Sequence, residues 1–161
     1  MGKKELKTNA MRMLEKLKIP YEYMTYECDE FISGIDTADM NGLPHEIVYK
    51  TLVTTGKSGE HYVFVLPIEA ELDLKSAAKA VGEKSVEMLP FKEITKVTGY
   101  VRGGCTAIGM KKKFPTVIDS SASKLDAIYV SGGKIGMQLK LKPDDLKKAA
   151  GAEYADVIAR I

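Results

Sequence analysis

A glycine-rich segment, residues 99–110, contains the residue types best suited to hold a polar ligand. Four of its twelve residues are glycine, and Gly103 and Gly104 are adjacent. Such a pair lets the backbone approach a ligand closely and can aim two N–H groups at one anion or polarised carbonyl oxygen. The alternative is a bent loop between two strands. The spacing matches neither glycine-rich nucleotide-binding motif, so no nucleotide cofactor is predicted.

Lys50 lies in the middle of a strongly apolar, β-branched stretch, residues 46–54, which predicts a central strand. A buried ammonium without a partner is costly, so this side chain must reach either solvent or a ligand. A lysine on a rigid strand can bind a phosphate or a carboxyl-type oxygen. Alternatively, it protects an edge strand from aggregation. The hydroxyl of Thr51 is expected on the other face of the strand.

Cys105 lies inside the glycine-rich segment and is a candidate nucleophile, a role that requires a neighbouring base. Neither His45 nor His61 is in a recognisable Cys–His context, so the simpler interpretation is a small packed side chain. The two cysteines and two histidines also lack metal-ligand spacing, and no metal site is predicted.

Positive charge is concentrated beside the glycine-rich segment, at Arg102 and in the run Lys111, Lys112 and Lys113. Such a run either is solvated or contacts a phosphate backbone. Over the whole chain, 24 Lys and Arg residues against 22 Asp and Glu residues give a net charge of +2. This near balance argues against a protein that binds nucleic acid through its overall charge, and no DNA partner is predicted.

Length and composition predict one ordinary globular domain over residues 1–161. Apolar runs are too short to span a membrane, so no membrane partner is expected. The first residues lack the apolar core of a secretion signal, and two cysteines are too few for a disulfide scaffold. We therefore expect a cytoplasmic protein.

Hydrophobic periodicity and capping residues predict an α+β fold with a mostly antiparallel or mixed sheet. No element is predicted for residues 152–160. Helices are expected at 9–17, 35–42, 74–81, 90–97 and 143–150, and strands at 21–25, 46–54, 61–67, 85–88, 114–119, 125–130 and 137–141.

Three separated segments, 48–53, 98–109 and 128–134, resemble the YbaK/EbsC family in order and spacing. The resemblance extends over nearly the whole chain. This family contains freestanding trans-editing deacylases that are similar to the editing domain inserted in bacterial-type prolyl-tRNA synthetases. It implies a compact α+β domain whose mixed, mostly antiparallel, barrel-like sheet is surrounded by helices. It also implies removal of cysteine from mischarged proline tRNA, and action on other cysteinyl-tRNAs.

The resemblance assigns the site residues as well. Lys50 matches the essential strand lysine of the family, and Gly103 matches the loop glycine whose N–H faces the substrate carbonyl. The substrate-binding positions are Thr51 beside the lysine, Ser131 in the second hairpin, Tyr26 and Phe31 as an aromatic wall, and Gln138, where the family varies.

The implied chemistry is substrate-assisted. The thiol of the bound cysteine attacks its own ester carbonyl and expels the ribose oxygen, which leaves a cyclic thiolactone. The N–H groups of Gly103 and Gly104 would hold the developing oxyanion, and Lys50 would bind the terminal adenosine phosphate or fix the pocket. No cofactor is implied.

An aminoacyl-tRNA is the implied partner, and Arg102, Lys111, Lys112 and Lys113 are its candidate contacts. The modest net charge predicts weak binding of tRNA by this chain alone, which favours a partnership with prolyl-tRNA synthetase. Two alternatives remain open. One is a deacylase for alanyl-tRNA or another misacylated tRNA that uses an activated water, and the other is a non-catalytic binding or regulatory protein.

Overall fold

The computed structural model describes residues 7–26, 34–101 and 103–159. Within these ranges the chain forms eight strands and five α-helices. The helices are α1 (Asn9–Lys16), α2 (Gly34–Met40), α3 (Leu74–Val81), α4 (Ile94–Thr98) and α5 (Pro143–Ala150). The strands are β1 (Glu22–Thr25), β2 (Tyr49–Gly56), β3 (His61–Pro67), β4 (Val86–Met88), β5 (Thr116–Asp119), β6 (Ile128–Ser131), β7 (Met137–Leu141) and β8 (Ala152–Ala155).

The strands form two sheets. The smaller sheet is antiparallel, in the order β1-β7-β6, and the larger sheet has the order β4-β2-β3-β5-β8. In the larger sheet β2 pairs antiparallel with both β3 and β4, whereas β5 is parallel to β3 and β8. The predicted α+β class with a mixed sheet is therefore confirmed, and β2 is an inner strand of its sheet, flanked by β4 and β3.

Alternation along β3 divides the apolar core into two layers. Val63 and Val65 belong to the main cluster, which also contains Leu139 of the smaller sheet. Phe64 lies on the opposite face and packs in a second cluster with Ala77 of α3. All four β3 and β7 side chains named here are fully buried, because β3 is covered on both faces.

Local signals explain the helix boundaries. The side chain of Asp73 accepts a hydrogen bond from the Lys75 N–H at 3.2 Å and caps α3, and Gly82 ends this helix with a left-handed φ of 74°. Pro143 occupies the first turn of α5. The predicted bounds of α3 and α5 are confirmed. In the described part of the chain, no helix is long and apolar enough to cross a bilayer.

The bounds of several elements differ from the sequence-based expectation. The predicted helix at 90–97 is a 3-10 turn at Phe91–Glu93 followed by α4, and β6 begins at Ile128 rather than at residue 125. β2 begins at Tyr49 rather than at residue 46, because residues 45–47 form a 3-10 turn directly after Pro44. β8 was not predicted, because Ala152–Ala155 is short and lacks β-branched residues. It is a strand because β5 offers a parallel partner, with Thr116 opposite Ala152.

The two sheets meet along β2 and then part. Val48, immediately before β2, forms a parallel bridge with Tyr129 of β6. Towards the other end of β2, β4 pairs only with residues 54–56, and the Leu89 N–H donates to the Val53 carbonyl at 3.0 Å. We call the edge of β2 between these two contacts, residues 50–52, the seam. Since alternate side chains point to opposite faces, an opening at a strand edge can be lined from both faces.

Helix α2 is tied to the larger sheet by His45. The His45 Nε2 atom lies 2.6 Å from a carboxylate oxygen of Asp39 on α2, and its Nδ1 atom lies 2.7 Å from Glu69, just after β3. The hydrogen bond to Glu69 is the main cause that raises the pKa of His45 above its usual 6.5, and the hydrogen bond to Asp39 is the second. A protonated ring can donate to both carboxylates at once, whereas a neutral ring can donate to only one.

This arrangement makes the contribution of His45 to stability depend on pH. The pKa of His45 is higher in the folded chain, so its stabilisation should be fully present below about pH 6.5 and lost as the pH rises through the folded value. Urea unfolding of wild type and His45→Gln at about pH 5.5 and about pH 8.5 tests this, with a larger stability difference expected at the lower pH. Equal differences at both pH values would contradict the role of the charged ring.

Candidate active site

A cavity of about 380 Å³ opens at the seam. Its wall contains residues of both sheets and of the glycine-rich segment, and its volume lies within the usual range of small-molecule sites. The cavity therefore brings together residues that are far apart in sequence. The predicted site residues in its wall are Tyr26, Lys50, Thr51, Gly103, Ser131 and Gln138.

Lys50 enters the cavity from the seam. Its ammonium is half-buried and donates to the Ile68 carbonyl at 3.4 Å, a long hydrogen bond. Burial lowers the pKa of Lys50, and the negative charge of Glu71 partly offsets this effect. A cation that is held in a cavity wall with so weak a partner fits the ligand-binding interpretation better than that of a solvent-exposed edge lysine.

The bridge between Val48 and Tyr129 aligns the next residues of the two sheets. Lys50 follows Val48 by two residues and Ser131 follows Tyr129 by two, so both side chains continue on the same face beyond the bridge. Gln138 of β7 is paired directly with Ser131 and shares this face. Thr51 is on the opposite face, as its position predicts, and is also among the residues that line the cavity.

Two polar atoms on residues of the wall have no hydrogen-bond partner among the described residues. They are the hydroxyl oxygen of Thr51 and the side-chain carbonyl oxygen of Gln138, and both atoms are buried. Gln138 as a whole is only 8% exposed. Buried polar atoms are normally paired, so these two require an explanation.

The two adjacent glycines have different roles in the structure. Gly103 lines the cavity and adopts a left-handed φ of 88°. Gly104 is buried, and its N–H already donates to the Val101 carbonyl at 3.0 Å. The expectation that the Gly104 amide holds an oxyanion is therefore not met. A Cβ atom at Gly104 would lie 2.7 Å from the Lys134 Cα atom, so the residue is glycine because two backbones pack together here.

Cys105 also lines the cavity, but its environment does not suit a nucleophile. Burial raises the pKa of the thiol to about 11, although its hydrogen bond to the Thr98 hydroxyl, at 3.9 Å, acts in the other direction. The thiol is then almost entirely protonated near neutral pH. Neither His45 nor His61 is among the residues that line the cavity. The interpretation as a packed side chain fits better.

The basic run lies apart from this cavity. Lys111, Lys112 and Lys113 are exposed, and the last two line a second cavity of about 200 Å³ together with Lys148. Two other predicted site residues, Phe31 and Arg102, lie outside the described residues. Within the described ranges, no group of three or more His, Cys, Asp and Glu side chains is arranged to hold a metal ion.

Sequence reasoning missed much of the apolar wall. No motif marks these residues, because they come from α2, from the segment after β3, and from the β4–α4 region, which only the tertiary fold brings together. The missed lining residues are Ile35, Thr37, Ile68, Met88, Leu89 and Ile94.

Comparison with solved structures identifies the class of domain. A structure described as that of a hypothetical protein superposes with a TM-score of 0.84 at 22% identity, covering 94% of this chain and 99% of the other. A second structure, provisionally described as a trans-editing enzyme for prolyl tRNA synthetase, gives 0.79 at 22% identity and covers 97% and 100% of the two chains. At these identities the similarity establishes the fold alone, that of a compact α+β domain.

The sequence identifies the family. A model of the aminoacyl-tRNA editing domain matches residues 33–149, and the chain belongs to this family. A protein of Enterococcus faecalis, provisionally named Cys-tRNA(Pro)/Cys-tRNA(Cys) deacylase EbsC, is 43% identical over 159 residues, which cover 98% of this chain and 97% of that protein. The resemblance to the YbaK/EbsC family is thus confirmed.

The packing role of Gly104 can be tested by Gly104→Ala. The added methyl group would force the glycine-rich segment away from the β6–β7 turn, and we expect a loss of about 1–3 kcal/mol in the free energy of unfolding. Val101→Ala, a change at an exposed position of the same segment, should remain within about 0.5 kcal/mol of wild type. Urea unfolding measures both; wild-type stability of Gly104→Ala would refute the close packing.

Proposed function

We propose that the protein is a trans-editing aminoacyl-tRNA deacylase that releases cysteine from mischarged proline tRNA and acts on Cys-tRNA(Cys) as a second substrate. The observation that carries this proposal is the 43% identity, over 98% of the chain, to a relative named for this activity. The cavity at the seam supports it, because the matching lysine, glycine and serine positions line one site.

The proposed reaction uses the thiol of the substrate. The sulfur forms a bond with the ester carbonyl carbon, the bond from that carbon to the ribose oxygen breaks, and the thiol proton passes to the ribose oxygen. The products are a cyclic thiolactone and a tRNA with a free hydroxyl. A cysteine thiol has a pKa of about 8.5, so some thiolate forms near neutrality, and holding the sulfur against the carbonyl carbon favours closure of the four-membered ring.

The lining residues support this route over a protein nucleophile. Among the described residues of the wall there is no histidine and no carboxylate, so the cavity offers no conventional general base. Cys105 has the only thiol among the described residues of the wall, and burial raises the pKa of this thiol to about 11. The substrate must therefore supply the attacking group in this proposal.

Gly103 and Lys50 have separate roles in the proposed reaction. The Gly103 amide donates to the developing oxyanion, and the Lys50 ammonium binds the phosphate of the terminal adenosine. Tyr26, which lines the cavity, is the proposed aromatic contact of the substrate. The Tyr26 N–H donates to the Gly136 carbonyl at 2.9 Å, which fixes the chain at the cavity against the β6–β7 turn.

The tRNA body would be bound outside the cavity. Lys111, Lys112 and Lys113 are exposed and, together with Arg102, are the proposed contacts for its phosphate backbone. The net charge of +2 gives little bulk attraction, so prolyl-tRNA synthetase is proposed as a partner that raises the local concentration of the substrate.

A panel of tRNAs tests the reaction. We expect wild type to release cysteine from proline tRNA faster than alanine or serine, because only cysteine carries the thiol. Comparable release of alanine would instead indicate activated water, and no release from any substrate would indicate a binding or regulatory protein. Rates from single-turnover deacylation of the three aminoacyl-tRNAs decide between these functions.

Two variants test the assigned roles with the same assay. Lys50→Ala should lower the rate by roughly a hundred-fold, as is typical of a lost electrostatic contact at a reaction centre. Cys105→Ala should keep activity near the wild-type level, because its thiol stays protonated. The reverse pattern would identify Cys105 as the nucleophile and rule out the substrate-assisted route.

A further inference from the structure

A second cavity, of about 200 Å³, combines apolar and positively charged side chains. Its apolar wall comes largely from the end of α1 and from the segment before β5, where Met13, Leu17 and Met110 are partly buried against the main apolar cluster. The wall also contains three exposed lysines, Lys112, Lys113 and Lys148. No aspartate or glutamate is among the described residues of this wall. The second cavity therefore offers an apolar surface beside concentrated positive charge.

The three lysines have no carboxylate partner in the described part of the chain. The nearest candidate along α5 is Asp144, one helical turn before Lys148. Its carboxylate instead accepts a hydrogen bond from the Tyr154 hydroxyl at 2.7 Å. A cation that is not already in an ion pair can bind an anionic ligand without giving up another partner.

Two of the lysine side chains are positioned by neighbours of other kinds. The Lys112 ammonium lies over the Phe114 ring, 5.9 Å from its centroid. The Lys113 side chain packs against Gly151 at the C-terminal end of α5, where an added Cβ atom would lie 2.9 Å from the Lys113 Cε atom. An aromatic face and a helix C-terminus both attract a cation. These contacts restrict where the two ammonium groups lie and leave their hydrogen-bond donors for a ligand.

The composition and size of the second cavity define the chemistry of its ligand. The matching group has an apolar part with a negative charge next to it, and it is small, because a whole small molecule usually occupies about 300–1,000 Å³. An unpaired RNA nucleotide meets both conditions, since its base can pack on protein side chains while its phosphates bind lysines. Methionines suit bases of different shape, because their side chains are flexible and polarisable.

The glycine-rich segment joins the second cavity to the one at the seam. Cys105 lines the cavity at the seam, whereas Ala107 lines the second cavity. Two residues of extended chain span at most about 7 Å, so the walls of the two cavities come close together here. An aminoacyl ester bound at the seam therefore brings the adjoining nucleotides of its tRNA within reach of the second cavity.

We propose that the second cavity binds one unpaired nucleotide of the tRNA, with the base against its apolar side chains and the phosphates on its three lysines. This inference rests on the proposed deacylase function and extends the proposed contact between the basic run and the tRNA backbone. It adds two features. Lys148 of α5 belongs to the contact, and part of the affinity for tRNA comes from apolar packing of a base.

Two substitutions on α5 test the charge and the apolar packing separately. Lys148→Gln removes one cation, and Ala149→Leu fills part of the second cavity without changing its charge. We expect each to raise, by about five-fold, the protein concentration that gives half-maximal single-turnover release of cysteine from cysteinyl-tRNA, which is the scale of one lost base or phosphate contact. The rate at saturating protein should stay at the wild-type level.

Helix α3 provides matched controls. Lys79 and Ala80 occupy the same positions before the end of α3 as Lys148 and Ala149 occupy before the end of α5. Both control residues are exposed, and neither lines either cavity. Lys79→Gln and Ala80→Leu should therefore keep the wild-type half-maximal concentration. Ala149→Met, which fills the second cavity with a more flexible side chain, should repeat the effect of Ala149→Leu and replaces it if that variant folds poorly.

Two further measurements locate the effect on the substrate. Cysteinyl-adenosine has the ester and the amino acid but no adjoining nucleotide, so Lys148→Gln and Ala149→Leu should release its cysteine at the wild-type rate. With cysteinyl-tRNA, Lys148→Gln should reduce the slope of log affinity against log salt concentration by about 0.7, because one phosphate contact is lost. Ala149→Leu should leave this slope unchanged.

The outcomes are distinguishable. No release of cysteine by wild type from either substrate overturns the proposed function and this inference with it. Normal release with wild-type half-maximal concentrations in Lys148→Gln and Ala149→Leu overturns the inference alone, and lost binding of these variants to phosphatidylglycerol vesicles would then assign the cavity to a lipid. An equal loss on cysteinyl-adenosine also overturns it, since the damage would lie at the seam. A loss in Lys148→Gln without one in the two Ala149 variants overturns it as well, because no base would then be bound.

Discussion

The site depends on two sheets that, in the described part of the chain, share one backbone bridge and then part. Val48 and Tyr129 join the sheets by one parallel bridge, and β4 returns to β2 only from residue 54 onward. Had β6 continued along β2, the ladder would have filled the space where Lys50 and Thr51 now meet the cavity. The interruption leaves a strand edge inside the protein, where it is lined by side chains from both of its faces. Strand pairing thus sets both the position and the shape of the cavity.

Sequence reasoning succeeded where the causes are local. A capping aspartate and a terminal glycine defined α3, and a proline at the first turn defined α5. The fold class and the pocket residues Lys50, Gly103 and Ser131 were also predicted, since motifs in register carry them. It failed where the cause lies elsewhere in the chain. β8 exists because β5 pairs with it, and the apolar wall is assembled from α2 and the β4–α4 region only by tertiary folding.

Gly103 and Gly104 illustrate how one sequence pattern covers two physical needs. Gly103 adopts a left-handed conformation at the cavity, whereas Gly104 permits close contact with the backbone of Lys134. A Gly-Gly pair in a sequence reports that side chains are excluded, but the reason for the exclusion depends on the neighbouring chain. The residue type of Cys105 likewise gives an incomplete account. A cysteine suggests a reactive thiolate, but burial raises the pKa of this thiol and keeps it protonated.

The internal strand edge has a consequence for how such a domain changes over time. Side chains along the seam line the cavity, whereas the backbone of the same residues continues the ladder between β2 and β3 without interruption. Replacing a side chain there changes which ligand fits the cavity and leaves the backbone hydrogen bonds of the sheet in place. Ancestral chains of this architecture could therefore have exchanged one amino acid preference for another in small steps, each of them retaining a folded protein.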